Sequence, residues 1–128
     1  MITYVIPAKN EEKTIKEVIK KINEISNKLF NKNPNIIVVS DSVDKTDEIC
    51  QEFKNCILIE SNNRGLGYAM YLGLKKASKT NCDYICSIDS DGQVDLNEIE
   101  LFYKKIVGSN LDLVTGSRFL ENELINYK

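Results

Sequence analysis

A chain of 128 residues, with 42% hydrophobic and 28% charged side chains, suits one globular core and excludes the fibrous, disordered and disulfide-scaffold classes. Its 17 basic and 19 acidic residues are interspersed and leave a net charge of −2, so the molecule as a whole has no electrostatic footprint for nucleic acid, and a polyanionic ligand needs a local basic site. With no histidine in the chain, a catalytic base has to be a carboxylate or a rarer group, and a bound metal takes oxygen ligands, which selects Mg²⁺ or Mn²⁺ over zinc.

Ile2–Ala8 (ITYVIPA) is a β-branched and aromatic run that reads as a buried strand passing into a loop after Pro7. A long helix follows. Asn10 is its expected N-cap, Glu11 and Glu12 suit the positive end of the macrodipole, and Ile15, Val18, Ile19, Ile22, Ile25 and Leu29 recur at helical spacing. After an Asn- and Pro-containing loop at 31–35, residues 36–40 (IIVVS) form a second apolar strand, then Asp41-Ser42 precede a short helix over about 45–53. Cys56–Ile59 is a third strand. Asn62-Asn63-Arg64-Gly65-Leu66-Gly67 opens a helix reaching about Ser78, with Leu66, Met70, Gly73 and Ala77 on one face. Residues 84–88 form a fourth strand, Asp95 and Glu98 start a further helix in capping-box fashion, and 111–115 form a fifth strand leading to Gly116-Ser117-Arg118.

Strands alternating with helices, and apolar throughout, predict an α/β domain with a mostly parallel sheet and helices on both faces. Residues 1–120 make this domain and 121–128 a short C-terminal stump. Cys50, Cys56, Cys82 and Cys86 lack metal-pair spacing and read as reduced packing residues of a cytosolic protein. The apolar start at 1–8 has no basic leader region and no apolar run nears the roughly 20 residues that span a bilayer, so a soluble cytoplasmic chain is expected.

In open parallel sheets ligands bind beyond the carboxyl ends of the strands, where the strand order reverses. The loops expected there hold Asn10 and Glu11, Asp41, Asn62 to Arg64, Asp89 to Gln93, and Arg118. Loops are polar in general, and Asn, Asp and Gly favour turns, but five such clusters along one edge go further. In Asp89-Ser90-Asp91-Gly92-Gln93 two carboxylates and an amide oxygen fall at alternate positions after a buried strand. That set suits a hard cation shared with a phosphate, and two acids so close repel unless a cation lies between them. The same residues also make a tight Asp-Gly turn. A calcium-loop frame from Ser87 to Glu98 matches as well, yet it requires a preceding helix where the sequence reads as strand. Arg64, Gly65 and Gly67 at a helix N-terminus favour an anion, without the third glycine of a dinucleotide fingerprint.

Taken in order, VIPAKNEE (5–12), VVSDSVDKT (38–46), NNRGLGYA (62–69), DYICSIDSDGQ (83–93) and GSRF (116–119) resemble the family 2 glycosyltransferases of GT-A (Rossmann-like) fold, most of all the polyprenyl-phosphate sugar transferases of the dolichol-phosphate mannosyltransferase kind. The resemblance implies that Pro7, Ala8, Asn10, Glu11 and Asp41 surround the nucleoside of a GDP- or UDP-sugar. It implies Asp89 and Asp91 as a D-x-D element, with Gln93 as a further ligand for Mg²⁺ or Mn²⁺. Arg118 then meets the donor phosphates, assisted by Arg64 at the turn through Gly65, and Asp91 and Arg118 carry the catalytic charge. Val43 stands where the family's common form has a second Asp. The implied acceptor is a polyprenyl phosphate or a glycan, with peripheral association at the cytoplasmic face of a membrane through a lipid acceptor. The chain ends ten residues after Arg118, where relatives continue into the acceptor wall. The expectation is therefore a C-terminally truncated, donor-binding half of an inverting enzyme, or a binding remnant that keeps the donor pocket.

Overall fold

The computed structural model describes residues 1–116. The described residues divide into two units, Met1–Leu96 and a second that begins at Asn97. The first holds β1 (Ile2–Ala8), α1 (Ile15–Phe30), β2 (Asn35–Ser40), α2 (Thr46–Gln51), β3 (Cys56–Ile59), α3 (Leu66–Ala77) and β4 (Tyr84–Ser87). These strands form one sheet in the order β3-β2-β1-β4, with every pairing parallel. The chain steps outward from β1 to β3, and α3 then carries it back to the far side of β1. Right-handed crossovers place the helices of outward and returning steps on opposite faces of the sheet.

The side chains of the central strands show both faces covered. Val5, Ile37 and Val39 point to one face and pack with Ala69 and Ala77 of α3. Tyr4, Ile6, Ile36 and Val38 alternate with them and are fully buried on the other. There the Ser26 hydroxyl of α1 donates to the Tyr4 hydroxyl at 3.1 Å, and burial pushes the Tyr4 pKa up to about 12. A strand buried on both faces has no place for a polar alternate, which is why these strands read as continuous apolar runs.

Several boundaries differ from expectation. α1 begins at Ile15 with Thr14 as its boundary residue, not at Asn10. Asn10 is left-handed (φ 57°), and its side-chain oxygen accepts the Val43 N–H at 2.9 Å, a tie between loops in place of a cap. On α3 the buried residues are Ala69, Gly73 and Ala77, whereas Leu66 is 66% exposed and lines an open cavity. All four cysteines are free thiols; Cys50 is buried beside Cys56, which with burial raises its pKa.

The second unit, taken by itself, contains α4 (Glu98–Gly108), whose boundary residue Asn97 makes no side-chain cap. The fifth strand expected at 111–115 is absent among the described residues. Asn110 turns left-handed (φ 50°) and the Leu111 N–H donates back to the Ile106 carbonyl at 3.1 Å, a helix-terminating closure that uses the backbone group a ladder needs. Residues 121–128 lie outside the described residues.

Gly73 is the point of closest approach between α3 and the sheet: a Cβ there would lie 2.3 Å from Val5 Cγ1 and 3.1 Å from Val39 Cγ2. Gly73→Ala is expected to destabilise the fold by about 1–3 kcal/mol, since two β-branched side chains of a close-packed core have to shift. Gly67→Ala, on the same helix with nothing within 4 Å of the added methyl, should be neutral or stabilising by up to about 1 kcal/mol. Urea denaturation of the two variants checks the contrast, and equal midpoints would refute the packing argument.

Candidate functional site

The strand order reverses between β1 and β4, and beyond their carboxyl ends lies a cavity of about 300 Å³. Pro7, Ala8, Lys9 and Glu11 supply one wall, Val39 and Asp41 a second, and Asp89, Ser90 and Asp91 a third. Asn63, Gly65, Leu66 and Ala69, at the entry to α3, close the fourth side.

The wall after β1 is fixed by the loop after β2. The Asn10 N–H donates to Ser42 Oγ at 2.9 Å, the Glu11 N–H to Thr46 Oγ1 at 2.8 Å and the Glu12 N–H to Asp44 Oδ2 at 3.2 Å, while Glu12 Oε2 accepts the Lys45 N–H at 3.1 Å. These bonds satisfy amides that have left the sheet but have not yet entered α1, and they join segments more than thirty residues apart. Asn10 thus belongs to the frame of the site and does not line the cavity.

Asp41 is held from the next loop. Ser61 donates its N–H to Asp41 Oδ1 at 3.0 Å and its hydroxyl to Oδ2. The Ser61 hydroxyl is the main reason that the Asp41 pKa lies below its ordinary value. Partial burial opposes it, and backbone N–H groups of Asn63 and Ser61 and the charge of Lys9 add to the lowering. Asp41 is ionised, oriented and partly compensated before any ligand arrives.

In Asp89-Ser90-Asp91 the residues divide their roles by direction. Ser90 is 5% exposed and faces inward; its hydroxyl donates to the Pro7 carbonyl at 2.9 Å, and its own carbonyl accepts the Thr14 hydroxyl at 2.7 Å. The carboxylates on either side are exposed and line the cavity. Gly92 (φ 77°) takes the left-handed position of the turn, and the Gln93 N–H donates to Asp91 Oδ1 at 3.0 Å. The tight turn and the alternating carboxylates are therefore one structure. Because Tyr84–Ser87 is a strand, the helix that a calcium loop requires before it is not there.

Of the residues singled out by sequence, the cavity brings together Pro7, Ala8, Glu11, Asp41, Gly65, Asp89 and Asp91. It leaves out Asn10, Arg64 and Gln93: the Arg64 guanidinium lies 4.0 Å over the Tyr68 ring, and Gln93 is exposed. Arg118 lies outside the described residues. Lys9 lines the site and was not singled out; Asn63 and Ser90, which fall inside the polar clusters expected at this edge but were given no role of their own, line it too, and Asn62 and Asn63 are both left-handed at φ 54°. Among the described residues no three His, Cys, Asp or Glu side chains gather to hold a metal on their own. Two carboxylates beside a phosphate-sized space nonetheless fit Mg²⁺, which binds through one or two carboxylates together with ligand phosphates and water.

Comparison with known proteins agrees with this geometry. Residues 3–127 match the model of the glycosyl transferase family 2. An uncharacterized protein of Methanocaldococcus jannaschii is 37% identical over 127 residues, covering 98% of this chain and 50% of that protein. The UDP-N-acetylglucosamine–dolichyl-phosphate N-acetylglucosaminyltransferase of Methanococcus voltae is 34% identical over 137 residues, covering 92% of this chain and 52% of the relative. Glucosyl-3-phosphoglycerate synthase from Mycobacterium tuberculosis, solved in complex with uridine diphosphate, superposes with a TM-score of 0.60 at 28% identity over 88% of this chain and 40% of that one. The chain thus spans about half the length of the first two relatives. With the GT-A, Rossmann-like sheet, the cavity at its reversal point and a family match over nearly every residue, the chain belongs to the glycosyl transferase family 2.

Proposed function

We propose that this chain forms the donor-binding part of a metal-dependent, inverting glycosyltransferase, which takes a UDP- or GDP-sugar with Mg²⁺ or Mn²⁺ and serves a polyprenyl phosphate or glycan acceptor. The observation that carries the reading is the charge of the cavity: among the described residues, Glu11, Asp41, Asp89 and Asp91 line it against the one ammonium of Lys9. A nucleoside diphosphate entering that space adds further negative charge, which is tolerable only with a cation between the phosphates and the carboxylates. Asp89 and Asp91 are the residues that would hold the ion; Gln93, two residues after Asp91, lies outside the cavity lining. When bound, the ion would neutralise the charge that develops on the departing diphosphate.

The remaining roles belong to the chain. Asp41, fixed by Ser61, orients the nucleoside together with Pro7, Ala8 and Glu11. The start of α3 at Gly65 and Leu66 faces the ligand with unpaired backbone N–H groups. Arg118 meets the diphosphate and shares its charge with the ion. Inversion requires the acceptor oxygen to attack the anomeric carbon opposite the leaving diphosphate. A lipid phosphate is already ionised and needs no base, which suits a chain without histidine. The name of the M. voltae relative pairs a UDP-sugar with a dolichyl phosphate, and the M. tuberculosis structure holds UDP, so a uridine donor is the first to test.

Two measurements check the site. In thermal-shift titrations UDP with Mn²⁺ should raise the melting temperature by roughly 10 °C at about a hundred times Kd, and neither component alone should do so. Asp91→Ala should remove the metal-dependent shift; an unchanged shift would sink the assignment of Asp89 and Asp91. The second measurement follows the Asp41 carboxyl carbon by NMR as pH is lowered. Since its folded pKa is depressed, its stabilising contribution is present above the ordinary carboxylate value and is lost as pH falls through the lowered one. Ser61→Ala should move that midpoint upward, so that the loss begins at higher pH; no movement would show that Ser61 does not hold the carboxylate.

A further inference from the structure

The basic residues are not spread evenly. Residues 61–82 carry four cations, Arg64, Lys75, Lys76 and Lys79, and no carboxylate, while the other 106 residues carry 13 cations against 19 carboxylates. This stretch contains α3. The inner face of that helix is made of Ala69, Gly73 and Ala77, small residues that let it lie flat on the sheet. Its outer face is a continuous ridge: the Arg64 guanidinium over Tyr68 at 4.0 Å, Tyr68 against Tyr71 with ring centroids 6.1 Å apart, and Lys75 Nζ 3.3 Å from the Tyr71 hydroxyl. Tyr71 is 53% exposed and Leu74 41%. None of the four cations forms an ion pair with a carboxylate among the described residues.

We infer that the outer face of α3 is a docking surface for an anionic lipid membrane. Charge complementarity selects the class of occupant, because a helix carrying only cations repels a second copy of itself in either orientation and attracts an anionic plane. The side chains between the cations select lipid over nucleic acid. Base stacking needs an open ring face, yet Arg64 covers a face of Tyr68 and Lys75 sits over Tyr71, 5.4 Å from its ring centroid. What the ridge exposes is Tyr71, Leu74 and lysine ammonium groups on long stems, with Tyr68 half-buried beside them. That is the composition of a surface lying at headgroup level, with aromatic and aliphatic groups at the acyl boundary and cations among the phosphates. Among the described residues no helix is long and apolar enough to cross a membrane. This surface lies outside the donor cavity and adds to the transferase reading without depending on it.

Co-sedimentation of the 128-residue protein with vesicles tests the inference. Binding is expected to vesicles containing phosphatidylglycerol and not to pure phosphatidylcholine, and to vanish in about 1 M salt, where the screening length is about 3 Å. The double change Lys75→Glu with Lys76→Glu should lower partitioning at least about tenfold. Tyr71→Ser should weaken it with the net charge unaltered. Lys20→Glu with Lys21→Glu on α1 makes the same charge change elsewhere and should leave binding intact. All of these positions are solvent-facing, and circular dichroism verifies that the variants fold. Asp91→Ala should still bind vesicles, so the two readings fail separately. The inference is overturned by equal binding to neutral vesicles, by equal loss in the α1 variant, by retention of poly-uridine RNA in place of vesicles, or by a dimer that Lys75→Glu with Lys76→Glu dissolves.

Discussion

β1 is hydrogen-bonded along both edges, to β2 and to β4, and covered on both faces, by α1 beside Tyr4 and by α3 against Val5. Every wall of the cavity is referenced to this strand. Its ladder to β2 runs to the pair Ala8↔Ser40, which sets Asp41 level with the loop that follows β1. Its ladder to β4 ends three residues earlier, at Val5↔Ser87, with the Ile88 N–H still donating to the Val5 carbonyl at 3.0 Å. The next acceptor in that ladder is the Pro7 carbonyl, and there the Ser90 hydroxyl takes the place of a backbone amide. The substitution of a side chain for a ladder bond lets the backbone leave the sheet while remaining tied to it. Asp89 and Asp91 consequently project into open space from a segment whose central residue is buried.

The carboxylates of the site are consequently not equivalent. Asp41 receives two bonds from Ser61 and feels Lys9, so its charge is partly compensated by the protein. Asp91 accepts one backbone N–H, from Gln93, a bond that closes the turn and leaves the rest of its acceptor capacity free. A site with one end compensated and the other end in deficit of positive charge is matched by an asymmetric ligand. A nucleoside that donates hydrogen bonds suits the first end, and a diphosphate arriving with a cation suits the second. On the proposed reading, this difference in how well the carboxylates are satisfied would match the polarity of a nucleotide-sugar donor.

How much of this was legible in the sequence follows from the range of the interactions involved. The central strands β1 and β2 were legible because double-sided burial removes polar alternates from ITYVIPA and IIVVS, a strictly local signal. The Asp-x-Asp arrangement was legible because the alternation that buries Ser90 and frees its neighbours has a period of two. Asn10 was misassigned as a cap because its partner, Val43, is more than thirty residues away and nothing within a helical turn betrays it. Arg64 was placed on the ligand from its proximity to Gly65, yet a ring one helical turn later competes for it at 4.0 Å. Lys9 drew no notice because a lone lysine in a loop is ordinary; only the reversal of strand order between β1 and β4 brings it among four carboxylates. The fifth strand expected at 111–115 is absent among the described residues for a related reason: an apolar run only permits a strand, and pairing with a neighbour is the other condition.

α3 joins the two charge regimes of the molecule. Through Gly65, Leu66 and Ala69 its first turn closes the acidic cavity, and through Arg64, Tyr68, Tyr71 and Lys75 its outer side forms the basic ridge. Residues three and four apart share a side of a helix, so Ala69 and Gly73 can face the sheet while Tyr68, Tyr71 and Lys75 face away without any distortion of the backbone. Gly73, where a side chain has no room, sets how deeply the helix sits and with it the height of both surfaces relative to the strand ends. A membrane held by the ridge would lie within a helix diameter of the cavity wall, about 10 Å. If the proposed docking holds, an acceptor carried in the membrane would be brought to the side of the domain that α3 occupies, whereas a soluble acceptor would draw no advantage from the ridge.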